Sequence, residues 1–115
     1  MSIDDIKEVI GQYTQAARNA IEAGFDGVEV HGAHGYLIDQ FNSDVSNHRT
    51  DRYGGDLAGR LTFMKEVLKE VIDAVGANRT LIRFSALKKS TSRITCGKIR
   101  RKRFKPLLKL SKRLV

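Results

Sequence analysis

Apolar residues in the first part of the chain recur at the helical period. After Ile3, the positions Ile6, Val9, Ile10, Tyr13, Ala16, Ala17, Ala20 and Ile21 fall at steps of three and four or beside such a step, which lines them along one stripe of a helix. Ser2 followed three residues later by Asp5 resembles a capping box, and Gly24 is placed to end the helix. The pattern then turns to alternation. In Gly27-Val28-Glu29-Val30-His31 the two valines share one parity and the two polar side chains the other, which predicts a short strand with unlike faces. Residues 32–59 are rich in Gly, Asp, Asn and Ser, with Gly54-Gly55 as a turn signal, and read as one long loop. Loops of that length in compact domains are more often functional than not. A second helix is predicted from about Arg60 to Val75, with Leu61, Met64, Val67, Leu68, Val71, Ile72 and Val75 on one side and Gly76 as its stop. Leu81-Ile82-Arg83-Phe84-Ser85 then reads as a second strand. The order helix, strand, helix, strand implies an α/β fold with parallel strands joined by right-handed crossovers. No internal repeat is visible.

Composition narrows the setting. A chain of 115 residues is at most one small domain, large enough to bury a core. A complete (β/α)₈ barrel needs about 250 residues, so a barrel motif here would sit on part of one. The lone Cys96 excludes an internal disulfide framework and a cysteine zinc cluster. No apolar run approaches the ~20 residues of a membrane helix, and the N-terminal segment lacks the form of a signal peptide. The expected setting is therefore cytoplasmic. The formal net charge of +8 conceals two unlike parts. Residues 1–85 carry 9 Lys+Arg and 13 Asp+Glu, for a net −4, whereas residues 86–115 carry 12 Lys+Arg and no acid, for +12. Thirty residues without a carboxylate read as a tail, a polyanion-binding arm or a sequence not selected to fold.

The sharpest chemical cluster is His31-Gly-Ala-His34-Gly-Tyr36, where the first strand gives way to the loop. In parallel α/β folds ligands bind at the carboxyl ends of strands. Two histidines three apart are open to three readings: a metal pair, a pair of donors to an anionic oxygen, or ordinary loop histidines. The metal reading lacks an obvious third ligand, because Asp39 lies beyond the apolar Leu37-Ile38 step. In the donor reading, each neutral imidazole gives one N–H, and two aimed at one carbonyl stabilise charge developing on its oxygen. Tyr36 is then placed to supply a proton.

The run Ala23-Gly-Phe-Asp-Gly-Val-Glu-Val-His-Gly-Ala-His-Gly-Tyr-Leu-Ile-Asp-Gln-Phe41, followed by Ser46-Asn-His-Arg-Thr-Asp-Arg-Tyr-Gly-Gly55, strongly resembles the old yellow enzyme family of flavin-dependent ene reductases. The resemblance covers residues 1 to about 87. It implies a partial TIM (β/α)₈ barrel, roughly the fourth and fifth strands with their helices. It also implies FMN as cofactor, NAD(P)H as reductant and a small-molecule enone as substrate, with hydride passing from the flavin to the alkene's β-carbon. Carried over by matching position, His31 and His34 bind the substrate carbonyl and Tyr36 is the catalytic proton donor to the α-carbon. Many members have Asn at the position of His34, so this chain resembles the His/His subgroup. Arg83 matches the cofactor-binding arginine at the flavin's N1 and O2 edge, where a fixed cation tunes the bound group. The resemblance assigns no metal. For residues 47–55 a structured wall is expected rather than catalytic groups. Glu29 shares the parity of His31, and Arg83 that of neither Ile82 nor Phe84, so both charges are expected on the side away from the helices, close enough to pair.

Departures accompany the match. Asn42-Ser43-Asp44 stands where the family usually has an apolar residue and a proline, Arg52 replaces a common acid, and residues 56–60 are an unusual version of Ser-x-Glu-Asn-Arg. The segments that supply most flavin contacts in the family lie outside this match, so the chain alone is expected to be inactive. After Leu87 the resemblance stops. Residues 88–115 form a basic tail, expected to be disordered or weakly helical around 106–114. Either a shifted reading frame or a basic arm explains it, and the abrupt change favours the first. The arm reading rests on Arg100-Arg101-Lys102-Arg103, which suits nucleic acid or an acidic surface. It makes the alternative function that of a small basic binding protein. Neither the sequence nor the resemblance fixes an oligomeric state.

Overall fold

The computed structural model of the chain describes residues 1–85. The basic tail of 88–115, with its expected short helix, lies outside the described residues.

Helix α1 spans Ile3–Glu22 and begins at the predicted capping box. Asp5 N–H donates to Ser2 Oγ at 3.1 Å, and Ser2 N–H donates to the Asp5 carboxylate at 2.6 Å. Two donors at the helix start that would otherwise lack partners are thereby satisfied. These bonds hold the Asp5 carboxyl below its ordinary range, the Ser2 N–H contributing most. Strand β1 covers Val28–Gly32 and β2 covers Thr80–Phe84. They pair in parallel, with Val28 opposite Thr80, His31 opposite Arg83 and Gly32 opposite Phe84. Each strand lies one residue from its predicted span, because the ladder takes in Gly32 and Thr80 and leaves Gly27 and Ser85 outside.

The long helix α4, Thr62–Val75, packs along α1. Its buried residues Phe63, Met64, Val67, Leu68 and Val71 form the core with Ile6, Ile10 and Ala17 of α1 and Val30 of β1. Phe63 stacks on Phe41 with ring centres 4.4 Å apart and meets Tyr13 edge-on at 6.4 Å, the stacked and edge-to-face arrangements that aromatic pairs favour. Gly76 ends α4 with φ 95°, and a 3₁₀ turn over Ala77–Arg79 leads into β2.

The segment predicted as one loop contains two short helices, α2 over Leu37–Asn42 and α3 over Leu57–Arg60. Neither is long enough to show a helical period. α2 forms because Ile38 and Phe41 sink into the core beside α4, and α3 because Asp56 accepts from Gly59 N–H at 2.8 Å. Phe84, expected to point toward the helices, is 37% exposed at the end of the ladder. Among the described residues no element follows β2 to cover it. No helix of the described residues is long and apolar enough to cross a membrane.

Candidate functional site at the carboxyl end of the paired strands

A strand's side chains alternate between faces, and directly paired residues share a face. Glu29 and His31 of β1 and Leu81 and Arg83 of β2 therefore line one face of the sheet. Val30, on the opposite face, is buried beneath the helices. Gly32 follows His31 where the two backbones come close, and a Cβ there would lie 2.9 Å from Arg83 O. A larger residue at the strand end would push the two site-bearing strands apart.

Past Gly32 the chain turns sharply. His34 adopts φ 61° and Gly35 φ 79°, a left-handed pair that brings the second imidazole back toward the first. The rings of His31 and His34 are 5.2 Å apart at 62°, and His31 and Tyr36 are also 5.2 Å apart at 49°. All three residues singled out in the sequence thus form one cluster. Tyr36 is 62% exposed.

Three residues outside the predicted set hold this turn. His34 N–H donates to Ser85 Oγ at 2.6 Å, tying the turn after β1 to the end of β2. Asp39, in the first turn of α2, accepts from Gly35 N–H at 2.8 Å, and Gln40 donates to Gly35 O at 2.6 Å. Asp39 is thus engaged in holding the loop. Among the described residues no three His, Cys, Asp or Glu side chains are arranged to hold a metal ion. The reach-back by Asp39 is a helix-start device that the Gly-x-x-x-Asp spacing could have disclosed. Nothing local marks Ser85, whose partner lies 51 residues away.

On β2, Arg83 Nε donates to Glu29 Oε1 at 2.7 Å, placing the predicted pair well within reach. Both side chains remain about half exposed. That hydrogen bond, with the attraction between the two charges, raises the guanidinium further above its ordinary range. The terminal nitrogens of Arg83 make no hydrogen bond to any described residue.

Residues 47–55 form a cross-tied segment. Asn47 Nδ2 donates to Phe41 O and to Tyr53 O, each at 2.7 Å. Arg49 grips Asp51 through two nitrogens and reaches Met1 O at 2.8 Å. Arg52, which stands where the resemblance leads one to expect an acid, pairs with Glu66 of α4 and lies 4.7 Å from the centre of the Tyr53 ring. Tyr53 is fully buried and donates to the other Glu66 oxygen at 2.8 Å. Burial, and then the Glu66 carboxylate, push its phenol above the ordinary range. Arg60 Nε donates to Asn42 O at 3.2 Å, joining α3 to α2. Asn42 is only 7% exposed. Its Oδ1 has no hydrogen-bond partner among the described residues.

Residues 1–114 match the NADH:flavin oxidoreductase / NADH oxidase family. That match runs beyond Leu87. Pairwise similarity to single proteins is shorter. 12-oxophytodienoate reductase 7 of Oryza sativa subsp. japonica is 55% identical over 85 residues, covering 74% of this chain and 22% of the relative. Chanoclavine-I aldehyde reductase fgaOx3 of Penicillium roqueforti is 58% identical over 85 residues, 74% of this chain and 23% of the relative. Among solved structures, the old yellow enzyme homologue from Zymomonas mobilis superposes with a TM-score of 0.74 at 45% identity, covering 75% of this chain and 24% of that one. Old Yellow Enzyme from Pichia sp. AKU4542 gives the same TM-score at 48% identity, over 75% and 22%. The chain thus spans between a fifth and a quarter of the length of these proteins.

Proposed function

This chain belongs to the NADH:flavin oxidoreductase / NADH oxidase family, and from that membership we propose that it carries the substrate-carbonyl and flavin-edge groups of an FMN-dependent oxidoreductase. In this reading NAD(P)H is the reductant, and the substrate is an α,β-unsaturated carbonyl compound whose activated C=C bond is reduced. β1 and β2 take the places of the fourth and fifth strands of a (β/α)₈ barrel, with the sheet face of Glu29, His31, Leu81 and Arg83 toward the barrel axis. The carrying observation is the convergence of His31, His34 and Tyr36 at the carboxyl end of β1, one strand from Arg83.

The residues present suit one edge of FMN. Arg83 offers terminal N–H donors that no described residue uses, matching the acceptor edge of a flavin's pyrimidine ring. When bound, FMN supplies the hydride. The chain's own groups do the rest. His31 and His34 each donate one N–H to the substrate's carbonyl oxygen, which draws electrons from the alkene and stabilises the negative charge that builds there. The two rings lie 5.2 Å apart, a spacing that one carbonyl oxygen can bridge. Tyr36 holds a proton beside His31 and delivers it to the α-carbon. The bond from Ser85 to His34 and the Asp39 and Gln40 grip on Gly35 keep these donors in register, and small misplacements in such a site cost about 100-fold in rate.

A chimera tests this. Residues 1–85 replace the matching segment of the rice reductase, and NADPH-driven enone reduction is followed. His31→Ala with His34→Ala should raise KM and lower kcat. Tyr36→Phe should lower kcat about 10²–10⁴-fold with little change in KM. Full activity in either variant would contradict the assigned roles.

A further inference from the structure

Glu29 and Arg83 are not direct register partners. Glu29 lies opposite Leu81 and His31 lies opposite Arg83, so the carboxylate reaches diagonally across one ladder step to accept from Nε at 2.7 Å. A guanidinium is a rigid planar fork with Nε–H on its inner side and the paired Nη donors at the far end. Gripping Nε fixes the plane of the fork and leaves the Nη end without a partner among the described residues. Salt-bridge chemistry alone does not require this choice, because a carboxylate that only balances charge pairs as well with the Nη end.

We propose that Glu29 is a positioning residue: it holds Arg83 by Nε so that the two Nη groups face a planar ligand edge carrying two adjacent acceptors. The identification of that ligand as flavin rests on the reading of Arg83 given above, whereas the hold itself does not. Two properties of the carboxylate are separable. Glu29→Gln keeps an acceptor oxygen at the same reach and removes the charge. Glu29→Asp keeps the charge and shortens the reach by one methylene. Positioning requires the first property; charge balance requires the second.

The experiment uses the full 115-residue chain with ¹⁵N-labelled arginine, the Arg83 signals being identified by their loss in Arg83→Lys. Hydrogen exchange at Arg83 Hε should be about tenfold slower than for a solvated arginine, as expected for a charge-assisted hydrogen bond. Glu29→Gln should retain most of this protection, and Glu29→Asp and Glu29→Ala should lose it. Adding FMN at millimolar concentration, where a contact too weak to survive chromatography is populated, should shift the Nη signals and leave Hε protected. Protection that survives in Glu29→Asp and vanishes in Glu29→Gln overturns the positioning role, as does an unprotected Hε in the wild type. Nη signals that ignore FMN while Hε stays protected overturn the flavin reading and leave the Glu29 hold standing.

Discussion

Among the described residues, His34 is the only non-glycine with a left-handed backbone, at φ 61°. Asn tolerates that conformation because its short polar side chain bonds locally, whereas a β-branched residue clashes with its own carbonyl. The Asn common at this place in the family and the His here thus meet one backbone requirement. His34→Asn should leave the urea midpoint of unfolding nearly unchanged, and His34→Val should destabilise by about 1–2 kcal/mol. Equal midpoints for the two would show that the turn is not held left-handed. Asp51 gives a second residue-level prediction. The hydrogen bond from Arg49, followed by that from Tyr53 N–H, holds its carboxyl below the ordinary range. The folded state therefore binds the Asp51 proton less readily than the unfolded state. Its stabilising contribution is complete above the ordinary carboxylate value and fades as pH falls through that value toward the lower folded one. Asp51→Asn should flatten the loss of stability on acidification in that window, and parallel acid-denaturation curves would contradict it. Of these single-residue features, the Glu29–Arg83 pair was readable from strand parity, and the clustering of His31, His34 and Tyr36 from their spacing. Ser85 was not, because its bond to His34 depends on a strand pairing made by residues far apart in sequence.

α1 and α4 were legible because each runs long enough for the 3.6-residue period to repeat. α2 and α3 were not, since six and four residues complete fewer than two turns, and their stability comes from docking rather than propensity. That docking carries an irregularity. Asn42 ends α2 against Met64 of α4, with Nδ2 3.6 Å from the sulfur and Oδ1 without a described partner. A buried acceptor left without a partner costs about 1–3 kcal/mol. Asn42→Leu removes that acceptor and should raise the free energy of unfolding by about that amount, read from urea denaturation. A loss of stability would mean that the amide has a partner the described residues do not include. Residues 47–55 were foreseen as structured, but the pairing of Arg52 with Glu66 was not. That substitution replaces an acid by a base, and the structure accommodates it by giving the base an acid on α4.

For the molecule as a whole, the site residues are assembled while the sheet that bears them has two described strands, each with an open edge. Unpaired strand edges invite aggregation, and the face of Glu29, His31, Leu81 and Arg83 is open, with Leu81 68% exposed. A flavin site also needs enclosure, which a single face of two strands does not give. The family motif was legible in the sequence because it is long and in two parts. The share of the barrel that the chain supplies became visible only against relatives it spans by 22–24%. The most direct test is visible flavin absorbance after gel filtration, measured for the 115-residue chain and for the rice-reductase chimera bearing its residues 1–85. The isolated chain should be colourless, and the chimera should hold one flavin per polypeptide. A yellow isolated chain would show that the described unit needs no further enclosure, and a colourless, folded chimera would show that β1 and β2 do not serve as strands of a flavin barrel.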